Sequence, residues 1–215
     1  MISLGARSTL RSAVTDQIRS WIDDGTLSSG AHLGEVELSA ELEVSRATLR
    51  EAMRELVQEG LLTQDNRGRV SVTSLSEADI RDLFEVRLAL ESAAVVRLCE
   101  RVERTTAVTR LRAQLDQIDA RGPVTQGVVA DLRFHELLCD LTDNTALLRS
   151  WRGISGLIRM TMVSSGSASA RANMTRQRHE PIVGFIERGD SEGARAYLTE
   201  HMRSALETLL AARAD

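Results

Sequence analysis

The sequence predicts a mainly α protein: an N-terminal winged helix-turn-helix followed by a C-terminal all-α six-helix bundle. Three observations carry that prediction. Strand-like segments joined by a tight-turn signal occur only early in the chain, at residues 61–63 and 70–73. Beyond Ser76 no strand pattern appears, and apolar residues recur at helical spacing. Aromatic residues make up 3% of the chain and there are 2 prolines in 215 residues, which favours long helices with cores of Leu, Val, Ile, Ala and Met.

The first 75 residues are built from short elements. "STLRSAVTDQIRSWIDDG" is amphipathic, with Leu10, Val14, Ile18 and the pair Trp21/Ile22 on one stripe, and Gly25 ends it. "EVELSAELEV" reads as a short helix. "SRATLREAMRELVQEG" reads as a second, with Ser45 as N-cap and Gly60 as its stop. "DNRG" then marks a turn between the two strand-like segments. Helix, helix, turn, helix, hairpin is the order of a winged helix-turn-helix. The domain boundary falls at the end of the hairpin, giving residues 1–75 and 76–215.

In the second part Ser76 caps a helix, with Asp79 three residues on as the carboxylate of a capping box. Six helices are expected, over roughly 76–103, 105–120, 126–142, 144–162, 170–188 and 190–213. The breaks fall at Thr105, "RGPVTQG", "TDN", the Ser-rich "SSGSASA" and "GDSEG". Pro181 leaves the start of the helix that carries His179 open.

The net charge is −4, and residues 1–75 contain more acids than arginines, so no generic basic surface announces a nucleic-acid partner. No run approaches the ~18 apolar residues of a membrane span, and no signal-peptide pattern opens the chain, so a cytoplasmic protein is expected. Cys99 and Cys139 are isolated and read as buried, reduced thiols.

Charge does gather locally. Arg46, Thr48 and Arg50 occupy the first turns of the second short helix, while Leu49, Met53, Leu56 and Val57 form its opposite, core-facing stripe. In a helix-turn-helix these first turns enter the major groove, where the Arg fork suits guanine or phosphate. Arg67 and Arg69 flank Gly68 at the hairpin tip, where Gly permits close backbone approach to DNA. A solvated helix laced with ion pairs is the alternative for the helix taken alone. The hairpin that follows directly argues for DNA.

"HLGEVELSAELEVSRATLREAMRELVQEGLLTQDNRGRVSV" resembles the DNA-binding domain of the GntR family of bacterial transcription regulators. Ser45, Arg46, Leu49, Arg50, Glu51, Ala52, Leu56, Gly60, Leu61 and Gly68 match its pattern. Thr48 stands where the family usually has Pro, Glu43 where it has Gly, and Val36 where it often has Arg. Val36 puts one expected DNA contact in doubt, and Glu43 is expected in a strained turn.

The helical part resembles the FadR-like, FCD-type effector domain of that family. The matching segments, in order, are "LFEVRLALE", "DLRFHELL", "DNTALL", "RHEPIVGFIERGD" and "ARAYLTEHM". The resemblance implies a divalent metal held by Asp131, His135, His179 and His201. The residues support it: Asp131 and His135 lie one helical turn apart, within reach of one ion, on a face shared with Phe134, Leu138 and Thr142. A hydrogen-bonded Asp–His pair is the alternative. Such a donor set suits Zn²⁺, Ni²⁺ or Mn²⁺. His32 is the odd histidine and reads as structural. Arg87 sits in an otherwise apolar stripe and needs a partner. Glu91, four residues on, is one candidate; the resemblance suggests an effector carboxylate. Asn144 is either a pocket residue or the N-cap of the next helix.

The expected protein is therefore not an enzyme. It is a homodimeric transcription regulator, a repressor, that binds a short palindromic operator on double-stranded DNA and responds to a small organic acid at a metal site. The alternatives are a metal-free regulator responding to an apolar acyl ligand, and a helical metalloenzyme that activates water.

Overall fold

The computed structural model describes residues 4–118, 123–164 and 167–214. The expected helix end at 119–120 and part of the "RGPVTQG" and "SSGSASA" breaks lie outside these residues. The chain folds into two compact units, Met1–Ser74 and Leu75–Asp215.

The first unit runs α1 (Leu4–Asp23), β1 (His32–Leu33), α2 (Glu35–Glu41), α3 (Arg46–Gln58), β2 (Leu62–Gln64) and β3 (Val70–Val72). Val14, Ile18 and Ile22 of α1 are buried, as are Leu49, Ala52, Met53 and Leu56 of α3. Leu10, placed on the α1 stripe by spacing, is instead exposed. Ser45 caps α3 by accepting from the Thr48 N–H at 3.1 Å. Gly60, at φ +77°, closes α3 as its own N–H reaches Val57 O and that of Leu61 reaches Leu56 O. Glu43 holds the helix-turn-helix corner at φ +53°, the strained conformation its position implied.

The sheet has three strands in the order β1-β3-β2, all antiparallel, with Leu62 opposite Val72 and Leu33 opposite Val70. Strand β1 has no sequence signature, because two residues show no alternation. His32 Nδ1 lies 2.9 Å from Val70 O, so this histidine braces β1 on β3.

The second unit is all helical: α4 (Glu77–Cys99), α5 (Thr105–Leu115), α6 (Val124–Asp140), α7 (Thr145–Ser164), α8 (Ser167–Asn173), α9 (Arg176–Arg188) and α10 (Ser191–Ala214). Seven helices among the described residues replace the expected six. The stretch read as one helix over 170–188 is two, α8 and α9. Thr175 is extended between them, at φ −118° and ψ 143°, and Asn173 donates across to Ala205 O on α10 at 3.1 Å. Helix α4 packs on α10, α6, α7 and α9. Ser76 and Asp79 form the expected capping box at its start. Cys99 and Cys139 are free and buried. No helix among the described residues is long and apolar enough to cross a membrane.

Candidate metal centre and DNA-reading face

The middle of α3 and the β2–β3 hairpin flank one groove of about 280 Å³, lined by Glu35, Arg50, Arg54, Gln64 and Gly68 among others. Arg46 and Arg50 are exposed on α3. Thr48 is half-buried, and its hydroxyl shares a 2.9 Å hydrogen bond with that of Ser45, so both polar side chains serve the helix start. At the tip Gly68 has φ +82°. The Asp65 carboxylate accepts from the backbone N–H of Arg67 and of Arg69, each at 2.9 Å, and from Arg69 Nε at 2.8 Å. The tip is thus preformed, with Arg67 exposed at its end.

In the helical unit α6 supplies Asp131 and His135, α9 supplies His179 and α10 supplies His201; all four are buried. One ring nitrogen from each of the three histidines lies within 4.8 Å of the others. His179 Nε2 is 3.0 Å from Asp131 Oδ1, and His135 Nε2 is 3.2 Å from His179 Nε2 and 3.9 Å from Asp131 Oδ2. The structure brings the three histidines into one cluster, with Asp131 against His179 and farther from His135.

The outer nitrogens say what the inner ones carry. His135 Nδ1 lies 2.6 Å from Glu91 Oε2, and His179 Nδ1 lies 2.8 Å from Thr175 O. A carboxylate and a carbonyl can only accept, so each Nδ1 holds the proton. In neutral rings both Nε2 atoms then present lone pairs, toward each other and toward the Asp131 carboxylate. Acceptors converge with no donor between them. A divalent cation relieves that repulsion. The 3.0 and 3.2 Å separations match the ~2.9–3.4 Å between neighbouring ligands on an ion with bonds of about 2.0–2.1 Å. His201 Nδ1 is buried with no hydrogen-bond partner among the described residues. The donor set therefore fits a divalent metal.

The electrostatics agree. Burial, the largest influence, pushes His135 below the ordinary histidine range, more than Glu91 and Asp131 push it back. Burial and then the neighbouring histidines push His201 far down. Burial would raise Asp131, but His179, His135 and Arg87 hold it below the usual carboxylate range. A metal at this point would require the rings in their neutral form and Asp131 ionised.

Glu91 organises the surroundings. Its Oε1 accepts from Arg87 Nε at 2.8 Å and from Trp151 Nε1 at 3.1 Å, while Oε2 takes His135. Burial would raise this carboxyl, but its interactions with His135 and Arg87 pull it down to about 2. Arg87, whose partner was open, pairs with Glu91 and its guanidinium lies 5.6 Å from the Phe84 ring centre. Asn144 Oδ1 accepts from the Ala146 and Leu147 N–H groups at 3.2 and 3.1 Å, making it the α7 cap. Sequence reasoning found Glu91 as a partner for Arg87 and missed its hold on His135. Nothing in spacing links residues 44 apart on two helices.

Residues 10–72 match the family described as bacterial regulatory proteins, gntR family, and residues 82–214 match the FCD domain. The chain is 31% identical over 93% of its length to the "Probable D-xylose utilization operon transcriptional repressor" of Paenarthrobacter nicotinovorans, spanning 88% of that protein. It is 28% identical over 90% of its length to the uncharacterized HTH-type transcriptional regulator YdhC of Bacillus subtilis, spanning 88% of it. Among solved structures, a GntR transcriptional regulator from Rhodococcus sp. RHA1 superposes with a TM-score of 0.79 at 27% identity, covering 94% of this chain and 97% of that one. The winged helix-turn-helix, the FCD helices and these likenesses agree: the chain belongs to the GntR family of bacterial regulatory proteins and is a DNA-binding transcription regulator, not an enzyme.

Proposed function

We propose that this regulator is a repressor whose hold on its operator is set by a small organic acid bound at a metal centre in the FCD domain. Residues 1–75 bind the DNA and residues 76–215 bind the metal and effector. The carrying observation is the cluster of acceptors: His135 Nε2, His179 Nε2 and the Asp131 carboxylate converge with both outer nitrogens already engaged. Asp131, His135, His179 and His201 would hold Zn²⁺, Ni²⁺ or Mn²⁺. When bound, the ion offers a coordination position to a carboxylate oxygen. The effector's second contact would be Arg87, buried in α4 and paired with Glu91 through Nε. Asn144 Oδ1 is spent on the α7 cap, so any effector contact would use its amide nitrogen.

On the DNA side Ser45, Arg46, Thr48, Arg50, Arg67 and Gly68 form the contact set. Two chains in a homodimer place two α3 helices on the halves of a short palindromic site. The effector favours an arrangement of the winged domains that fits the operator poorly, and so weakens binding. A regulator of this kind works beside the chromosome, in the bacterial cytoplasm. The name of the Paenarthrobacter relative supports repression.

Elemental mass spectrometry of untagged protein tests the centre. Wild type is expected to carry about one Zn, Ni or Mn per chain, and His179→Ala to lose it. No metal in either protein, after soaking with each ion, overturns the metal reading and moves the effector search to apolar acyl ligands.

A further inference from the structure

The DNA-reading face contains an acid where a polyanion must approach. Glu35 opens α2, and its carboxylate grips the recognition arginine of α3. Arg50 Nε donates to Glu35 Oε1 at 2.9 Å and to Oε2 at 2.8 Å, and Arg50 Nη2 lies 2.7 Å from Oε2. The two side chains stay solvent-accessible and line the groove between α3 and the hairpin tip. The Arg50 hydrogen bond, helped by the charges of Arg50 and Arg46, holds Glu35 below the usual carboxylate range, so the acid stays ionised.

This grip selects one edge of a planar group. A guanidinium has two forks: a side fork made of Nε and one Nη, and an end fork made of the two Nη groups. Glu35 occupies the side fork and leaves the end fork facing away from it. An end fork donates two parallel N–H groups, the pattern that guanine O6 and N7 accept in the major groove. Glu35 also cancels the Arg50 charge, and so removes attraction to phosphates that any sequence would provide.

We infer that Glu35 is a positioning residue for DNA reading: it presents Arg50 to guanine through its end fork and suppresses binding to duplexes that lack that guanine. The inference rests on reading α3 as the recognition helix. A merely structural role for Glu35, as an acid in the first turn of α2, would leave base preference untouched.

The test selects binding sites from a random double-stranded DNA pool with the full chain, comparing wild type, Glu35→Ala, Glu35→Gln and Arg50→Ala. Wild type is expected to enrich guanine at one position per half-site, and Arg50→Ala to lose it. Glu35→Ala should still bind DNA, with guanine discrimination at that position reduced about tenfold and affinity for duplexes lacking it raised. Glu35→Gln keeps an acceptor without the charge, so it should retain part of the discrimination while also binding non-cognate duplexes more tightly. If Glu35→Ala unfolds, Glu35→Gln carries the same comparison. Guanine preference kept by both Glu35 variants and lost in Arg50→Ala overturns the role of Glu35 alone. Preference kept in Arg50→Ala overturns the recognition-helix reading itself.

Discussion

Glu91 Oε2 lies 2.6 Å from His135 Nδ1, joining the middle of α4 to the middle of α6 in the centre of the helical unit. The carboxylate fixes which ring nitrogen is protonated, turns Nε2 inward and raises its basicity. Replacing Glu91 by Gln keeps the shape and removes the charge. Metal affinity is expected to fall about 10–100-fold. Competition against a chromophoric chelator measures this, and an unchanged affinity would remove Glu91 from the centre.

The same carboxylate compensates a buried cation. Glu91→Ala leaves Arg87 buried without its partner, a loss of about 3–5 kcal/mol in the stability of the helical unit. The double variant Arg87→Met/Glu91→Leu should recover part of it, because neither charge then remains while the buried His135 and Trp151 donors stay unpaired. Urea unfolding followed by circular dichroism decides; a single-variant loss below about 1 kcal/mol contradicts the burial argument.

Removing the metal should be felt in stability as well as content. An ion at 100 times its Kd stabilises the folded chain by about 2.7 kcal/mol. A chelator should therefore lower Tm, and re-addition of the ion should restore it. Asp131→Asn should show neither response, since the amide supplies no charge to a centre built on one carboxylate. A chelator shift of equal size in that variant would show that the ion binds elsewhere.

The α3 cap is local and testable alone. Ser45→Ala removes the acceptor for the Thr48 N–H and should cost about 1 kcal/mol in the winged unit, leaving metal content unchanged. Hydrogen exchange at α3 amides should rise while exchange in α4 stays put.

Val36 is exposed, at 55% of its full area, at the start of α2 beside Glu35. The resemblance puts Arg there in relatives. Val36→Arg is expected to steepen the salt dependence of DNA binding by about one phosphate contact. A titration of duplex DNA from 50 to 200 mM salt reads that slope; an unchanged slope would place residue 36 away from the backbone of the DNA.

Much of the site was legible because its parts are local. Asp131 and His135 are one turn apart on α6, and Arg87 and Glu91 one turn apart on α4, so each pair shares a face by helical period alone. The caps at Ser45, Ser76 and Asn144 and the stop at Gly60 are set within a few residues. The mistakes come from tertiary context. Leu10 follows the stripe of α1 but lies beyond what the unit covers. Residues 170–188 read as continuous because no Gly or Pro marks 174–175. The break comes from Asn173 reaching Ala205 and from the extended Thr175.

By itself the sequence determined the helical period, the helix–turn–helix–hairpin order, the pairs within one turn and the residue types able to ligate a metal. Only the tertiary structure decided that α6, α9 and α10 bring their histidines to one point, and that Glu91 and Thr175 turn two lone pairs inward. The physical reason is range. Backbone hydrogen bonding and side-chain spacing fix what meets within about four residues along a helix. Which nitrogen of a buried ring faces its neighbours depends on partners brought by the packing of other helices.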